Sequence, residues 1–168
     1  MNDTHPHWLR WLTIMGLGHL RPFPGTWGSL PPAALAALVL AVAPGSVGWT
    51  LMRLLMLALA VLFTLACGIM GDRAEAHFNR KDPSPVVADE VAGMALCLML
   101  MPSMPLRWPA VGSVVMALAF FRVVDVVKPW PADRLQRAPG GWGIVLDDLA
   151  AGLLAALVLW LSYAIAVL

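Results

Sequence analysis

One uninterrupted stretch of the sequence decides the fold class: residues 149–168 read LAAGLLAALVLWLSYAIAVL and hold no charged side chain. About 20 residues of helix span about 30 Å, which is the thickness of the hydrocarbon core of a bilayer. A second stretch of similar length and apolarity runs from Leu51 to Gly71. Because helices in soluble cores rarely stay apolar over this length, both stretches predict membrane-spanning helices.

The composition of the whole chain supports the same interpretation. Of its 168 residues, 60% are hydrophobic and only 12% are charged, whereas an average soluble domain has about 25% charged residues. The net charge of +1 gives no basic field, so nucleic-acid binding is not expected, and no protein partner is implied. The length fits a single domain, residues 1–168. The predicted fold is all-α, a helical bundle integral to the membrane.

Three further apolar stretches complete the expected bundle. They cover Leu30–Ala43, Val91–Met101 and Ala110–Val127. A proline-rich break separates the last two, so the chain is expected to turn there and return. The sequence therefore predicts about five hydrophobic helices, of which the first and third are short enough to be tilted or only partly inserted.

The N-terminal segment is expected to lie along the membrane surface. Residues His7–Met15 would form a short interfacial helix, with Trp8, Trp11 and Leu12 toward lipid and Arg10 toward water. The segment lacks the apolar core and small-residue cleavage site of a secretory signal, so no part of it is expected to be removed.

Charged residues are distributed unevenly over the two sides of this arrangement. All ten acidic residues fall on the side that holds the N-terminus. Nine of the eleven lysines and arginines fall there as well, the exceptions being Arg53 and Arg107. The positive-inside rule predicts that this side is cytoplasmic.

The first polar segment on that side covers residues 24–29, reads PGTWGS and leads into an apolar stretch. Glycine-rich backbone at a helix N-terminus can cradle a phosphate through its N–H groups, with Thr26 and Ser29 supplying hydroxyls. The same residues also suit a plain helix start, with Ser29 as N-cap and Pro31 near the first turn. Both interpretations remain open at the level of sequence.

Two further segments bring charges to helix ends on the same side. Asp89 and Glu90 directly precede an apolar stretch, and helix capping accounts for one of these carboxylates better than for both. Arg122, Asp125 and Lys128 repeat every three residues and therefore share one side of a helix end. A solvated stripe would look the same, but Asp125 is flanked by valines, where an idle carboxylate is unfavourable.

The last polar segment delivers Asp147 and Asp148 from a glycine-rich turn to the final apolar stretch. Carboxylate oxygens suit Mg²⁺, which takes one or two protein carboxylates and accepts phosphate oxygens. The alternative is that one aspartate is an N-cap and the other only compensates the helix dipole.

Cysteine and histidine do not add a site. Cys67 and Cys97 lie inside apolar stretches and are interpreted as buried hydrophobic residues, so no cysteine nucleophile is expected. The histidines have no ligand spacing and are interpreted as surface or interfacial residues: His5, His7, His19 and His77.

Taken together and in this order, the polar segments resemble those of the phosphatidylglycerophosphatase A family. The residues that carry the resemblance are Gly16–Gly18, Pro24–Ser29, Asp82–Glu90, Gly93, Phe121–Arg122, Asp125, Lys128–Pro131, Gly140–Ile144, Asp147–Asp148 and Gly152. The segment His19–Phe23 is not matched to the family pattern, so the resemblance assigns it no role.

The resemblance implies a Mg²⁺-dependent phosphatase of phospholipid biosynthesis. It would hydrolyse phosphatidylglycerophosphate to phosphatidylglycerol and phosphate, at the cytoplasmic face of a bacterial inner membrane. The expected metal ligands, on one or two Mg²⁺ ions, are Asp89, Glu90, Asp125, Asp147 and Asp148.

The expected mechanism is metal-assisted attack of water on phosphorus, in line with the departing glycerol oxygen. Arg122 and Lys128 would neutralise charge on the phosphoryl oxygens, and a carboxylate that is not on the metal would act as general base. The expected catalytic residues are Asp89, Glu90, Arg122, Asp125 and Lys128. The expected phosphate-binding residues are Gly25, Thr26, Gly28 and Ser29.

Two functions of other classes use similar residues. An ion transporter also collects carboxylates, but it should place some of them at mid-span, and here none lies inside the central part of an apolar stretch. A phosphatidyltransferase would act on related lipids, yet its spaced Asp-x-x-Asp-Gly-x-x-Ala-Arg signature is not in the sequence.

Overall fold

The computed structural model describes residues 6–43, 45–103 and 110–167, and every regular element in these ranges is helical. The helices are α1 (His7–Leu12), α2 (Pro24–Val42), α3 (Ser46–Phe78), α4 (Ala88–Leu100), α5 (Ala110–Val127), α6 (Ala132–Leu135) and α7 (Gly141–Val167), with a short 3₁₀ turn at Leu17–His19. The all-α prediction is therefore confirmed. His5, Arg107 and most of the proline-rich turn predicted between α4 and α5 lie outside the described residues.

Three of these helices are long and apolar enough to cross a membrane: α2, α3 and α7. Helix α4 has 13 residues and is about 20 Å long, which is shorter than a hydrocarbon core. The membrane character is thus supported, whereas the count of five crossings stays a prediction.

Helix α4 lies at the centre of the bundle, in contact with α2, α3, α5 and α7. Its side chains are buried almost all round, which explains why a short apolar helix carries no solvent-facing stripe. The largest fully buried side chains of the surrounding core include Met52, Met56, Met94, Leu98, Phe121 and Leu159.

Three helices begin earlier or end later than the apolar stretches indicate. Helix α2 begins at Pro24, six residues before Leu30, and α7 begins at Gly141, eight residues before Leu149. Helix α3 continues through a polar segment to Phe78. Hydropathy marks the part of a helix that meets lipid, whereas the backbone hydrogen bonds continue through polar residues.

The N-terminal helix differs from its predicted orientation. Helix α1 ends at Leu12, not Met15, and the Leu9 and Leu12 side chains are buried against the bundle. The predicted lipid-facing role of Leu12 is therefore wrong, because this residue completes the core between α1 and the α3–α4 pair. Trp11 is exposed, as expected for an interfacial side chain.

Candidate active site

The site begins at the N-terminus of α4, where Asp89 and Glu90 stand in the first helical turn. The partial positive charge of a helix N-terminus favours carboxylates there. Asp148 approaches from the second turn of α7. One carboxylate oxygen from each of these three residues lies within 4.8 Å of the other two. Asp89 is 5% exposed, Asp148 is 3% exposed and Glu90 is partly buried, so the three form a largely buried acidic cluster.

Glycines explain how α4 and α7 come close enough to build this cluster. A Cβ on Gly93 would collide with the backbone carbonyl of Asp148, and a Cβ on Gly152 would collide with that of Gly93. Only residues without a side chain allow two helix backbones to approach so closely. The helix crossing therefore fixes Asp148 against the first turns of α4.

The end of α5 adds two cation–carboxylate pairs beside the acidic cluster. Arg122 Nη1 lies 2.7 Å from Asp125 Oδ2, and Asp125 is buried. This pair is an electrostatic contact without hydrogen-bond alignment, because Arg122 Nη1 is buried with no hydrogen-bond partner. A donor of Arg122 thus remains available for an anionic ligand.

Lys128 provides the second pair, because its Nζ donates to Asp147 Oδ2 at 2.5 Å. Lys128 directly follows α5 in a left-handed backbone conformation with φ of 47°, which turns the chain at that point. Partial burial by itself lowers the pKa of Lys128, but the hydrogen bond from Lys128 to Asp147 and the nearby carboxylates raise this pKa above its ordinary value. Lys128 therefore carries a permanent positive charge at the site.

Unpartnered oxygens show what the acidic cluster lacks. Four buried carboxylate oxygens have no hydrogen-bond donor: Asp89 Oδ1, Glu90 Oε2, Asp147 Oδ1 and Asp148 Oδ2. Buried polar atoms in proteins are nearly always satisfied, so each of these implies a missing partner. Several anionic oxygens without donors are the ligand set of a hard divalent cation, and the residues present fit such an ion.

The predicted phosphate cradle has a different local structure. Residues 24–29 form the first turns of α2, and the Ser29 hydroxyl donates to the Gly25 carbonyl at 2.8 Å. Ser29 is therefore not the N-cap, which is Phe23. Thr26 is partly exposed in the same turn. Residues 24–29 are therefore part of the helix and do not form a separate segment before it.

The two glycines of this segment bring α2 against the acidic cluster. A Cβ on Gly25 would collide with Glu90 Oε1 and lie 2.8 and 2.9 Å from the two terminal nitrogens of Arg122. A Cβ on Gly28 would lie 2.7 Å from Val87 Cβ. Gly25 thus faces the acidic cluster directly, whereas Gly28 serves helix packing.

The aspartates of α7 are not helix caps. Helix α7 begins at Gly141, so Asp147 and Asp148 stand one to two turns inside it. Asp72 of α3 takes the capping role instead, since Oδ1 of Asp72 accepts the Gly141 N–H at 2.6 Å. No Ser, Thr, Asp or Asn immediately precedes the start of α7, so the sequence near Gly141 held no signal for this contact.

The remaining polar candidates agree with their sequence interpretation. Cys67 and Cys97 are free and buried. His7, His19 and His77 are exposed, and His77 contacts Trp8 edge to face. Within the described ranges, the only group of three or more potential metal ligands is the acidic cluster.

Comparison with known proteins finds relatives that match over most of the chain. A relative from Haemophilus influenzae named phosphatidylglycerophosphatase A is 29% identical over 86% of this chain and 82% of its own length. One of the same name from Escherichia coli is 31% identical over 71% of this chain and 73% of its own. A Bacteroides thetaiotaomicron protein, provisionally named phosphatidylinositol-3-phosphatase, is 34% identical over 88% of this chain and 89% of its own.

No solved structure matches this chain. The sequence model of the phosphatidylglycerophosphatase A family, in contrast, matches residues 11–163, which include every residue of the site described above. The expected resemblance is confirmed, and the chain belongs to the phosphatidylglycerophosphatase A family.

Proposed function

We propose that this protein hydrolyses phosphatidylglycerophosphate to phosphatidylglycerol and inorganic phosphate, with Mg²⁺ held by Asp89, Glu90 and Asp148. The observation that carries the proposal is the acidic cluster, in which each carboxylate has one buried oxygen without a hydrogen-bond donor. The cluster lies beside Arg122, whose buried Nη1 has no hydrogen-bond acceptor. Bound Mg²⁺ would supply charge neutralisation for the phosphoryl oxygens and acidify a water. The names of two relatives support the choice of substrate.

The positive side chains of α5 would bind the phosphoryl group. Arg122, kept in place by Asp125, has a buried nitrogen that can donate to a phosphoryl oxygen. Lys128 lies beside the cluster and forms an ion pair with Asp147. Positive groups fixed before the substrate arrives stabilise negative charge without reorganising, which is the main source of catalysis in phosphoryl transfer.

Proton transfer would fall to the carboxylates outside the three-residue cluster. Asp125 and Asp147 are buried next to the acidic cluster, and each is held in place by a cation, so either is positioned to accept a proton from the attacking water. In the step itself, the water oxygen bonds to phosphorus and the bond from phosphorus to the glycerol oxygen breaks. The glycerol oxygen then takes a proton, which completes phosphatidylglycerol.

The first turn of α2 would close the phosphate site from the opposite side. Gly25 lies against Glu90 and Arg122, so a phosphoryl group bound by Arg122 would meet the backbone of α2 at its N-terminus. Thr26 supplies a partly exposed hydroxyl in the same turn. Ser29 and Gly28 would act indirectly, through the shape of the helix.

The proposed location is the bacterial inner membrane, with the site on the cytoplasmic face. The sidedness rests on the acidic residues and most of the basic residues sharing one end of the bundle. A multi-pass arrangement agrees with three helices that are long and apolar enough to span.

Phosphate release from defined lipids in detergent micelles tests the proposal. We expect turnover of phosphatidylglycerophosphate with Mg²⁺, none in excess chelator, and poor support by Ca²⁺, because that ion is larger and less strict in geometry. Full turnover in chelator would exclude the metal. Phosphatidylinositol 3-phosphate is the second candidate substrate, given the name of the Bacteroides relative. If the protein hydrolyses it faster than phosphatidylglycerophosphate, the proposed substrate is wrong.

A further inference from the structure

A second polar pocket lies outside the acidic cluster, on the loops that precede α2 and α4. It has a volume of about 300 Å³, enough for a phosphate group with part of its substituents, and its lining includes His19, Arg21, Arg80 and Ser84. We call it the Arg21–Arg80 pocket. No acidic residue lines it, so its field is positive.

The groups around this pocket are suited to an anion. Arg21 and Arg80 are exposed, and neither side chain has an ion-pair or hydrogen-bond partner among the described residues. Ser84 adds an exposed hydroxyl. Pro24, the first residue of α2, is part of the wall, and the N-terminus of this 19-residue helix has neither a side-chain cap nor an acidic residue in its first turn. Two guanidinium groups and an uncapped helix N-terminus form a phosphate-binding environment.

The pocket and the acidic cluster share a wall. Pro24 lines the pocket, and its neighbour Gly25 lies against Glu90 and Arg122. Gly18, on the other wall, packs so tightly that a Cβ there would collide with the Pro85 carbonyl. The loops that form the pocket therefore contact each other directly, beside the acidic cluster.

Exposed apolar side chains flank the same segment. Leu20 and Phe23 lie on either side of Arg21 in the chain, and Trp27 follows one turn into α2; all three are exposed. An aromatic and apolar rim beside paired arginines is typical of protein surface at the lipid headgroup level. The ligand expected at such a place is a phosphate carried by a lipid.

We propose that the Arg21–Arg80 pocket binds the phosphodiester of the substrate lipid while the terminal phosphomonoester occupies the acidic cluster. This inference rests on the proposed function, because phosphatidylglycerophosphate carries one phosphate of each kind, joined by a three-carbon glycerol. The two sites on either side of the first turn of α2 match this pair of charges. The pocket would thus select a diester-containing lipid over a simple phosphomonoester.

The test compares two double variants that remove the same charge. In Arg21→Gln/Arg80→Gln we expect the KM for phosphatidylglycerophosphate to rise on the order of tenfold, with kcat within about twofold of wild type, since the lost contacts bind substrate and do not change on reaction. Arg134→Gln/Arg137→Gln is the matched control, because both arginines are exposed on the same side and line neither site. Its KM is expected to stay near wild type.

Two inhibitors then distinguish the source of the phosphate. Phosphatidylglycerol, which has only the diester, should inhibit wild type and the control competitively but inhibit the Arg21→Gln/Arg80→Gln variant on the order of tenfold less. Inorganic phosphate should inhibit all three proteins equally, since it would bind at the acidic cluster. Weaker inhibition of the variant by inorganic phosphate, with unchanged inhibition by phosphatidylglycerol, would make the pocket a free-phosphate site and overturn the proposal.

Other outcomes separate this proposal from the proposed function. If the KM for phosphatidylglycerophosphate rises equally in both double variants, Arg21 and Arg80 act only through their general positive charge, and the pocket is not a subsite. If the Arg21→Gln/Arg80→Gln variant behaves like wild type, the pocket proposal fails and the phosphatase function stands. If wild type releases no phosphate from phosphatidylglycerophosphate, the function fails first.

Discussion

Asp148→Asn tests the acidic cluster most directly, because activity and stability should change in opposite directions. Asp148, Asp89 and Glu90 bring carboxylate oxygens within 4.8 Å of one another. At that separation and an effective dielectric constant of about 20, two ionised carboxylates repel by about 3.5 kcal/mol. Without a cation, Asp148 therefore destabilises the fold through each ionised neighbour, and replacing it with neutral Asn removes this repulsion.

Partial protonation of the cluster relieves part of the repulsion, so the measured effect is smaller than the full Coulomb energy. We expect Asp148→Asn to raise the free energy of unfolding in chelator by about 1–3 kcal/mol. For a chain of this size, each kcal/mol shifts Tm by about 2–4 °C. Added Mg²⁺ should raise the Tm of wild type, because the ion binds only the folded state, and should raise that of the variant much less.

Activity should fall in the same variant. Loss of one anionic ligand weakens cation binding and charge stabilisation by several kcal/mol, which corresponds to about 10²-fold or more in rate. Thermal unfolding followed by circular dichroism in detergent, with and without Mg²⁺, is measured beside phosphate release. Asp133→Asn is the control, because Asp133 is exposed in α6 and should change neither quantity.

The reasoning would be refuted by either of two results. If Asp148→Asn hydrolyses phosphatidylglycerophosphate near the wild-type rate, the carboxylate holds no essential ion. If the variant is less stable than wild type in chelator, and Mg²⁺ raises its Tm as much as it raises that of wild type, Asp148 has a structural role. A helix-capping role, which would also predict a mild effect of Asn, is excluded by the position of Asp148 inside α7.

Three further predictions concern sidedness, packing and capping. In a cysteine-free background, Asp133→Cys should react with an impermeant thiol reagent only after the inner membrane is opened, whereas Ser46→Cys should react in intact cells. The reverse pattern would show that the predicted topology is wrong. Gly152→Ala, whose Cβ would collide with the backbone of α4, should cost about 1–3 kcal/mol of unfolding free energy and reduce activity. Its matched control Gly112→Ala, with no atom within 4 Å of the new Cβ, should be neutral or slightly stabilising, and equal Tm changes in the two variants would contradict the close-packing explanation. Asp72→Ala should lower the unfolding free energy by about 1 kcal/mol through loss of the α7 cap, while Asp72→Asn should restore most of it; no change in Tm with Ala would rule the cap out.

The sequence alone predicted the class of protein, and it drew attention to the acidic residues from which the candidate site is built. Apolar length is a local property, so residues 149–168 and 51–71 predict spanning helices without knowledge of any contact. Acidic residues beside apolar stretches are unfavourable unless they have partners, which drew attention to five carboxylates: Asp89, Glu90, Asp125, Asp147 and Asp148. The structure brings three of them together in the acidic cluster and pairs Asp125 and Asp147 with cations.

Other features depended on tertiary contacts and could not be read from any local pattern. Which carboxylates lie close together is decided by the crossing of α4 and α7 at Gly93 and Gly152, which are far apart in the chain. The start of α7 depends on a cap supplied from α3 by Asp72, so the aspartates that looked like caps lie inside the helix instead. Hydropathy measures transfer of a segment from water to lipid, whereas helix ends and ligand sets depend on which backbones approach each other, and that is a property of the packed bundle alone.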